Sequence, residues 1–246
     1  AGLVAGHGHL RDYVIDGTTY PAFDPARDYD PKYNIKSIEW GFPKAKGAVG
    51  PVENVNSPDV ACRFTPLQAP GIESVARAGA NITFNWLDWF SSHKGPVLTV
   101  SFDLCAPSML HTDFTNVAFF KIDEQSYDPK TISWGTDWLM KNKNSQTVTI
   151  PSDIKPGTYV VRHEIISLHN ALNDDYIKKQ SGAQFYPQCA KVKVTGDGSA
   201  TPAGQKLPGL YKWDDKGILV NIFYRPNEYT APGGPVYKPA TVSAPK

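Results

Sequence analysis

Apolar residues along this chain fall in short runs rather than at helical spacing. Asp12–Ile15, Asn81–Trp86, Val97–Phe102, Val117–Ile122, Thr147–Ile150, Thr158–Ile165, Cys189–Thr195 and Ile218–Phe223 are each rich in β-branched or aromatic residues. Stretches of Pro, Gly, Asn, Asp and Ser separate them. Many short strands punctuated by turn chemistry predict an all-β fold, an antiparallel β-sandwich rather than a parallel α/β sheet. Helical pieces are expected only at Thr136–Asn142 and Ile166–Ala171. The 21 prolines and 20 glycines predict long surface loops, which on such a scaffold are the usual carriers of function.

No internal repeat interrupts residues 7–237, and a chain of 246 residues is compatible with one large sandwich. Residues 1–6, AGLVAG, are small and apolar. They read as the tail of a secretion signal or as an N-terminal extension. Residues 238–246, KPATVSAPK, lack aromatics and read as a tail or the start of a linker. Asn81-Ile82-Thr83 is a glycosylation sequon on a predicted strand.

Charge narrows the choice of partner. With 25 basic and 24 acidic side chains and a formal net charge of +1, the chain offers no field for a polyanion. Nucleic acid is therefore not expected, and a neutral ligand such as an uncharged polysaccharide fits better. No apolar run approaches the roughly 18 residues of a membrane-spanning helix, so no membrane partner is expected either. Nothing in the sequence demands more than a monomer. Three cysteines, Cys62, Cys105 and Cys189, allow one bridge and one spare thiol, with secretion favouring oxidation of a well-placed pair.

The six histidines are His7, His9, His93, His111, His163 and His169. They form no HxxxH or HExxH pair, and CxxC is absent, so any metal site must gather ligands from distant segments. His9 reads as a surface or strand residue, His163 and Glu164 as structural groups, and the Trp86 and Trp89 pair as core.

Several segments acquire meaning when taken together and in order. They are His7-Gly8-His9-Leu10, the Cys62 segment SPDVAC, the His93 loop SHKGPV, Phe119-Phe120-Lys121-Ile122, RHEIISLH ending at His169, GAQFYPQC, and GILVNI with Tyr229 and PGGP. Each is weak alone; over about residues 7–237 the set resembles the auxiliary-activity family nine lytic polysaccharide monooxygenases.

That resemblance implies an immunoglobulin- or fibronectin-like sandwich and a secreted, extracellular enzyme. It implies one copper ion held by the amine and ring of His7, the imidazole of His93 and the phenol of Tyr186. Imidazole and amine nitrogens suit copper, but only a free α-amino group, not an amide, can serve at His7. His169 and Gln184 would be the catalytic pair beside the metal, Tyr229 the platform aromatic for substrate, and Phe23 either a second platform ring or a core residue. Cys62 and Cys189 would form the disulfide, leaving Cys105 unpaired opposite Met109. The implied activity is oxidative cleavage of a β-1,4-linked glucan, cellulose or a related hemicellulose, by hydroxylation at C1, C4 or both. The partners would be the glucan surface and an external electron donor. The stretch between His169 and Gln184 is longer than the family pattern. A second reading keeps the fold but not the turnover: a polysaccharide- or copper-binding protein with an altered N-terminus.

Overall fold

The computed structural model describes residues 8–30, 36–42, 49–65, 67–103, 114, 117–173, 175, 178–179 and 181–240. The strands among these residues are β1 (Leu10–Ile15), β2 (Thr18–Pro21), β3 (Ser74–Arg77), β4 (Asn81–Trp86), β5 (Val97–Asp103), β6 (Ala118–Gln125), β7 (Tyr127–Asp128), β8 (Ser133–Trp134), β9 (Ser145–Thr149), β10 (Gly157–Ser167), β11 (Gln184–Thr195) and β12 (Gln205–Lys206). Among the described residues two short helices, α1 (Asp59–Cys62) and α2 (Gly135–Lys141), join them. Four strands pair in the order β2-β1-β4-β9 and six in the order β12-β6-β5-β10-β11-β3, with a separate β7-β8 ribbon. All neighbours are antiparallel except β3 beside β11. The expected sandwich is present.

The six-stranded sheet is covered on both faces, so its central strand β10 is buried without interruption from Tyr159 to Ser167, polar residues included. One face packs on the smaller sheet through Tyr13, Phe84, Trp86, Val148, Tyr159, Ile165 and Val192. The other lies under loops and α1, and its cluster contains Trp40, Phe42, Val60, Val100, Val160, Phe185 and Ile218. Alternation along β10 sends Val160, Arg162 and Glu164 to the loop face and Tyr159, Val161 and His163 to the sandwich face.

The Cys62–Cys189 disulfide ties α1 to the middle of β11, with Cα atoms 5.5 Å apart across a separation of 127 residues. Closing a loop of that length contributes about 4–5 kcal/mol in the chain-entropy model. Cys105 and Met109 lie outside the described residues. Asn81 sits on β4, where its carboxamide accepts a hydrogen bond from the Thr149 hydroxyl at 2.8 Å.

Two sequence expectations need correction. Ile166–Ala171 is not helical: Ile166 and Ser167 extend β10 against Phe185 and Gln184, and Leu168 then donates its amide to the Lys94 carbonyl at 2.8 Å. Ile218–Phe223 is not a strand. Ile218 and Leu219 both turn back onto the Asp215 carbonyl, and Asn221 starts a single 3-10 turn over Ile222–Tyr224 by accepting from the Phe223 amide. This apolar run lies over a sheet face, with Ile218 in the core, rather than joining the sheet.

His163 gives the fold a testable acid sensitivity. Its ring stacks on Phe84 with centroids 3.9 Å apart and shares a 2.9 Å hydrogen bond with Thr99 through Nδ1. Its Nε2 has no partner among the described residues. Burial, aided by the charge of Arg162, lowers its pKa to about 3. The unfolded chain takes up this proton near the ordinary value of about 6.5, whereas the folded chain refuses it until about pH 3. The contribution is therefore complete above pH 6.5 and is lost as pH falls towards 3, by up to about 1.4 kcal/mol per pH unit. Urea unfolding at several pH values should show a shallower decline between pH 6.5 and 4 for His163→Gln than for the parent. Parallel curves would refute the assignment.

Candidate metal centre

The site grows out of three segments that meet at one end of the sandwich. The first is the turn preceding β5. His93 donates its amide to the Phe90 carbonyl at 2.9 Å, and two residues later the chain is stitched to its neighbours: Thr136 donates to the Gly95 carbonyl at 3.1 Å and Ile166 to the Pro96 carbonyl at 3.1 Å. The backbone approach at Gly95 is so close that a Cβ there would fall 1.8 Å from the Ile166 carbonyl oxygen. Only glycine fits, and the close fit anchors the turn that carries His93. Its ring is half-buried, and its Nδ1 shares a 3.0 Å hydrogen bond with the Ser92 hydroxyl.

The second segment is the start of β11. Gln184 and Tyr186 are two residues apart on a strand, so both side chains leave the same face. The Tyr186 hydroxyl donates to Gln184 Oε1 at 2.9 Å, and Gln184 Nε2 donates to Glu53 at 3.4 Å. Burial pushes the Tyr186 phenol well above its usual value, opposed in part by the charge of Arg63. Tyr186 is thus a neutral hydrogen-bond donor at working pH. The third segment is the end of β10, where Ser167 Oγ and His169 Nδ1 share a 2.8 Å hydrogen bond. The His169 and His93 rings lie 4.2 Å apart, centroid to centroid.

Trp89 joins these groups. Its indole N–H donates to the His93 carbonyl at 3.0 Å, and its ring meets Tyr186 edge-on at 5.0 Å and His93 edge-on at 6.0 Å. Gly8 packs on the same indole, where an added Cβ would stand 3.0 Å from ring carbons. The aromatic run before His93 marked Trp89 as core, and it is buried, but the sequence did not show that it also forms the floor joining the site residues.

His93, His169, Gln184 and Tyr186 are therefore brought together. His7 lies outside the described residues, although its neighbour Gly8 lies on Trp89. Among the described residues no three of His, Cys, Asp and Glu form a metal cluster. The donor set of His93 imidazole and Tyr186 phenol needs a further nitrogen from elsewhere, and it suits copper in kind. His9, expected at the surface or on a strand, is instead buried just before β1. It lies 3.8 Å from an Asp24 oxygen, and burial, then the charge of Arg63, lowers its pKa to about 4.

The two platform aromatics do not lie open. Phe23 is 6% exposed and packs edge-on against Tyr29 and Phe42, so core packing removes it from any surface role. Tyr229 is partly buried. Its hydroxyl donates inward to the Gly217 carbonyl at 2.7 Å, and its ring meets Trp134 at 4.8 Å. Among the described residues the open rings are those of Phe223 and Tyr224, 74% and 84% exposed. The sequence signal available for them was a pair of adjacent aromatics directly before Arg225-Pro226.

Fold and site together define a β-sandwich with an imidazole- and phenol-lined end. The family model of Auxiliary Activity family 9 (formerly GH61) matches residues 7–230, and the chain belongs to that family. It is 37% identical over 244 residues to the AA9 family lytic polysaccharide monooxygenase A of Geotrichum candidum, a match covering 99% of this chain and 81% of that protein. It is 36% identical over 233 residues to monooxygenase C of the same organism. There the match covers 95% of this chain but only 42% of the relative's length. A cellulose-active polysaccharide monooxygenase from M. thermophila superposes with a TM-score of 0.76 at 32% identity, covering 94% of this chain and 99% of that one. Members of the family are oxidoreductases that cleave polysaccharides oxidatively, and copper dependence is general among them.

Proposed function

We propose that this chain cleaves a β-1,4-linked glucan by copper-dependent hydroxylation at C1, C4 or both, with electrons from an external donor. One observation carries the reading: His93 and Tyr186 both meet Trp89, with His169 beside His93 and Gln184 bonded to Tyr186, and the neighbour of His7 packs on that same indole. His7, one peptide unit from Gly8, would bring its amine and imidazole to the same place. His93 would ligate through Nε2, since the Ser92 hydroxyl occupies Nδ1, and Tyr186 would stand by as a neutral phenol. Copper bound there supplies the one-electron redox chemistry that turns dioxygen or peroxide into an oxidant for a C–H bond.

The remaining work falls to the chain itself. Gln184 fixes the direction of the Tyr186 O–H and keeps an amide at the edge of the site. His169, oriented by Ser167, can hold or deliver a proton at Nε2 to oxygen being reduced. Trp89 and Tyr186 keep the inner side of the site dry. The Cys62–Cys189 bridge supports an oxidising, extracellular setting; no helix among the described residues is long and apolar enough to cross a membrane.

The test uses protein processed to begin at His7, loaded with copper and incubated with amorphous cellulose and ascorbate. Chromatography should reveal aldonic acids, C4-oxidised oligosaccharides or both, and protein retaining residues ahead of His7 should yield far less. Absence of oxidised sugars from the processed, copper-loaded protein would overturn the reading and leave a polysaccharide- or copper-binding sandwich.

A further inference from the structure

Asn81-Ile82-Thr83 is the chain's one Asn-x-Ser/Thr triplet, and the reaction proposed above gives it no task. The fold places it where a sugar can be carried. Residues two apart on a strand share a face, so Asn81 and Thr83 point outward while Ile82, Phe84 and Trp86 fill the core. Asn81 is exposed and opens β4 directly after a turn, in which the Ala80 amide donates to the Arg77 carbonyl at 2.9 Å. At about 3.4 Å per residue it lies roughly 17 Å along the strand from Trp86, the ring that meets Trp89. The metal centre is therefore at the other end of β4.

We propose that Asn81 is a site of N-linked glycosylation, carrying an oligosaccharide over the outer face of the four-stranded sheet. The proposal rests on the extracellular setting taken above and not on the redox reaction. In the transfer, Asn81 Nδ2 attacks the anomeric carbon of an oligosaccharide joined to a lipid diphosphate. A C–N bond forms as the bond from that carbon to the diphosphate oxygen breaks. The lipid diphosphate departs, and Nδ2 gives up one proton.

The side-chain contacts tolerate the change. The Thr149 hydroxyl donates to Asn81 Oδ1 at 2.8 Å, and a glycosylated carboxamide keeps that oxygen while losing a single N–H. The bond between β4 and β9 thus survives modification. Around it the face is small and hydroxylated: Thr147 and Thr149 are exposed, and the Thr83 and Thr147 hydroxyls share a 2.8 Å hydrogen bond. A bulky, solubilising glycan can lie over these residues without displacing a large side chain. The order of synthesis also leaves time for transfer. Thr149 lies 68 residues beyond Asn81, so at about 5–20 residues per second β4 waits roughly 3–14 s for β9. During that interval one edge of the triplet is unpaired and open to a transferase.

Protein secreted by a fungal host should be digested with trypsin and mapped by mass spectrometry before and after treatment with peptide N-glycosidase, which leaves aspartate wherever a glycan is removed. The peptide spanning residues 78–94 should carry a glycan and should return from the treatment with aspartate at position 81. Thr83→Ala should lose the glycan although Asn81 remains, and Thr83→Ser should keep it. Neither variant should change the affinity for cupric ion, since Thr83 lies outside the metal centre. A bare Asn81 in the secreted parent, or a glycan that persists in Thr83→Ala, would overturn the proposal and leave the monooxygenase reading untouched. A glycosylated protein that oxidises no sugar would sink that reaction and spare this site.

Discussion

Replacing His93 with alanine is expected to lower the affinity for cupric ion by more than about 100-fold, while His169→Ala stays within about tenfold of the parent. The contrast matters because the two imidazoles are close neighbours, 4.2 Å apart, and either could in principle ligate. Their surroundings differ. His93 sits on a turn pinned by Gly95, Pro96 and Thr136, with its carbonyl tied to Trp89, so its ring is held over the indole where Gly8 also packs. His169 lies two residues beyond the end of β10 and is oriented by Ser167. Losing even a residue that only orients a ligand typically costs about 10–100-fold in metal affinity, so losing the ligand His93 should exceed that. Loss of His169, proposed to act on oxygen rather than on the metal or its ligands, should cost less. The measurement is competition with a chelator of known affinity, read by the cupric electron paramagnetic resonance signal of protein beginning at His7. Turnover should fall in both variants, but only His93→Ala should alter the spectrum of the copper-loaded form grossly. If His169→Ala loses the metal and His93→Ala keeps it, the proposed ligand set is wrong.

The sandwich was legible because its strands are bounded by turn residues and carry β-branched side chains. Asn81–Trp86 appears with both ends where the pattern put them, and Thr136–Asn142 is displaced by one residue. The errors share one cause. Ile218–Phe223 and Ile166–Ala171 are apolar because they cover a sheet face or run along one, and a one-dimensional pattern cannot distinguish a covering segment from a paired strand or helix. Exposure misled in the same way. Phe23 and Tyr229 are aromatic and lie in Pro-rich stretches, as a surface platform would, yet Phe23 meets Phe42 and Tyr229 meets Trp134. The Gln184–Tyr186 pairing was closer to the surface of the sequence, because a spacing of two on a strand places both groups on one face. Its union with His93 and His169 came from family resemblance, since nothing local links residues so far apart in the chain. The burial of His9 had no sequence signal beyond its place next to Leu10.

Breaking the buried ion pair on β10 is expected to cost about 3–5 kcal/mol. Arg162 and Glu164 are both completely buried and lie two residues apart on the loop face. The guanidinium forms a bidentate pair with Glu164, and it donates to the Ala61 carbonyl at 2.6 Å and the Val60 carbonyl at 2.7 Å. Tyr211 donates its hydroxyl to the same carboxylate. Arg162 also pairs in register with Cys189, whose disulfide reaches Cys62 at the end of α1. Charge network and covalent bridge thus fasten the same helix to the same point of the sheet.

Arg162→Met removes the counter-charge from Glu164 and the donors from two helix carbonyls, so its cost is mainly that of an uncompensated buried carboxylate. The double variant Arg162→Met with Glu164→Leu removes that charge as well and should be more stable than Arg162→Met alone, although neither replaces the lost tether to α1. A protein of this size should melt about 6–20 °C lower in the single variant. Urea unfolding of both single variants and the double one closes the cycle, with the disulfide kept oxidised throughout. A single-variant cost below about 1 kcal/mol, or a double variant less stable than Arg162→Met, would show that the pair does not hold α1 in place and that the disulfide fastens it alone.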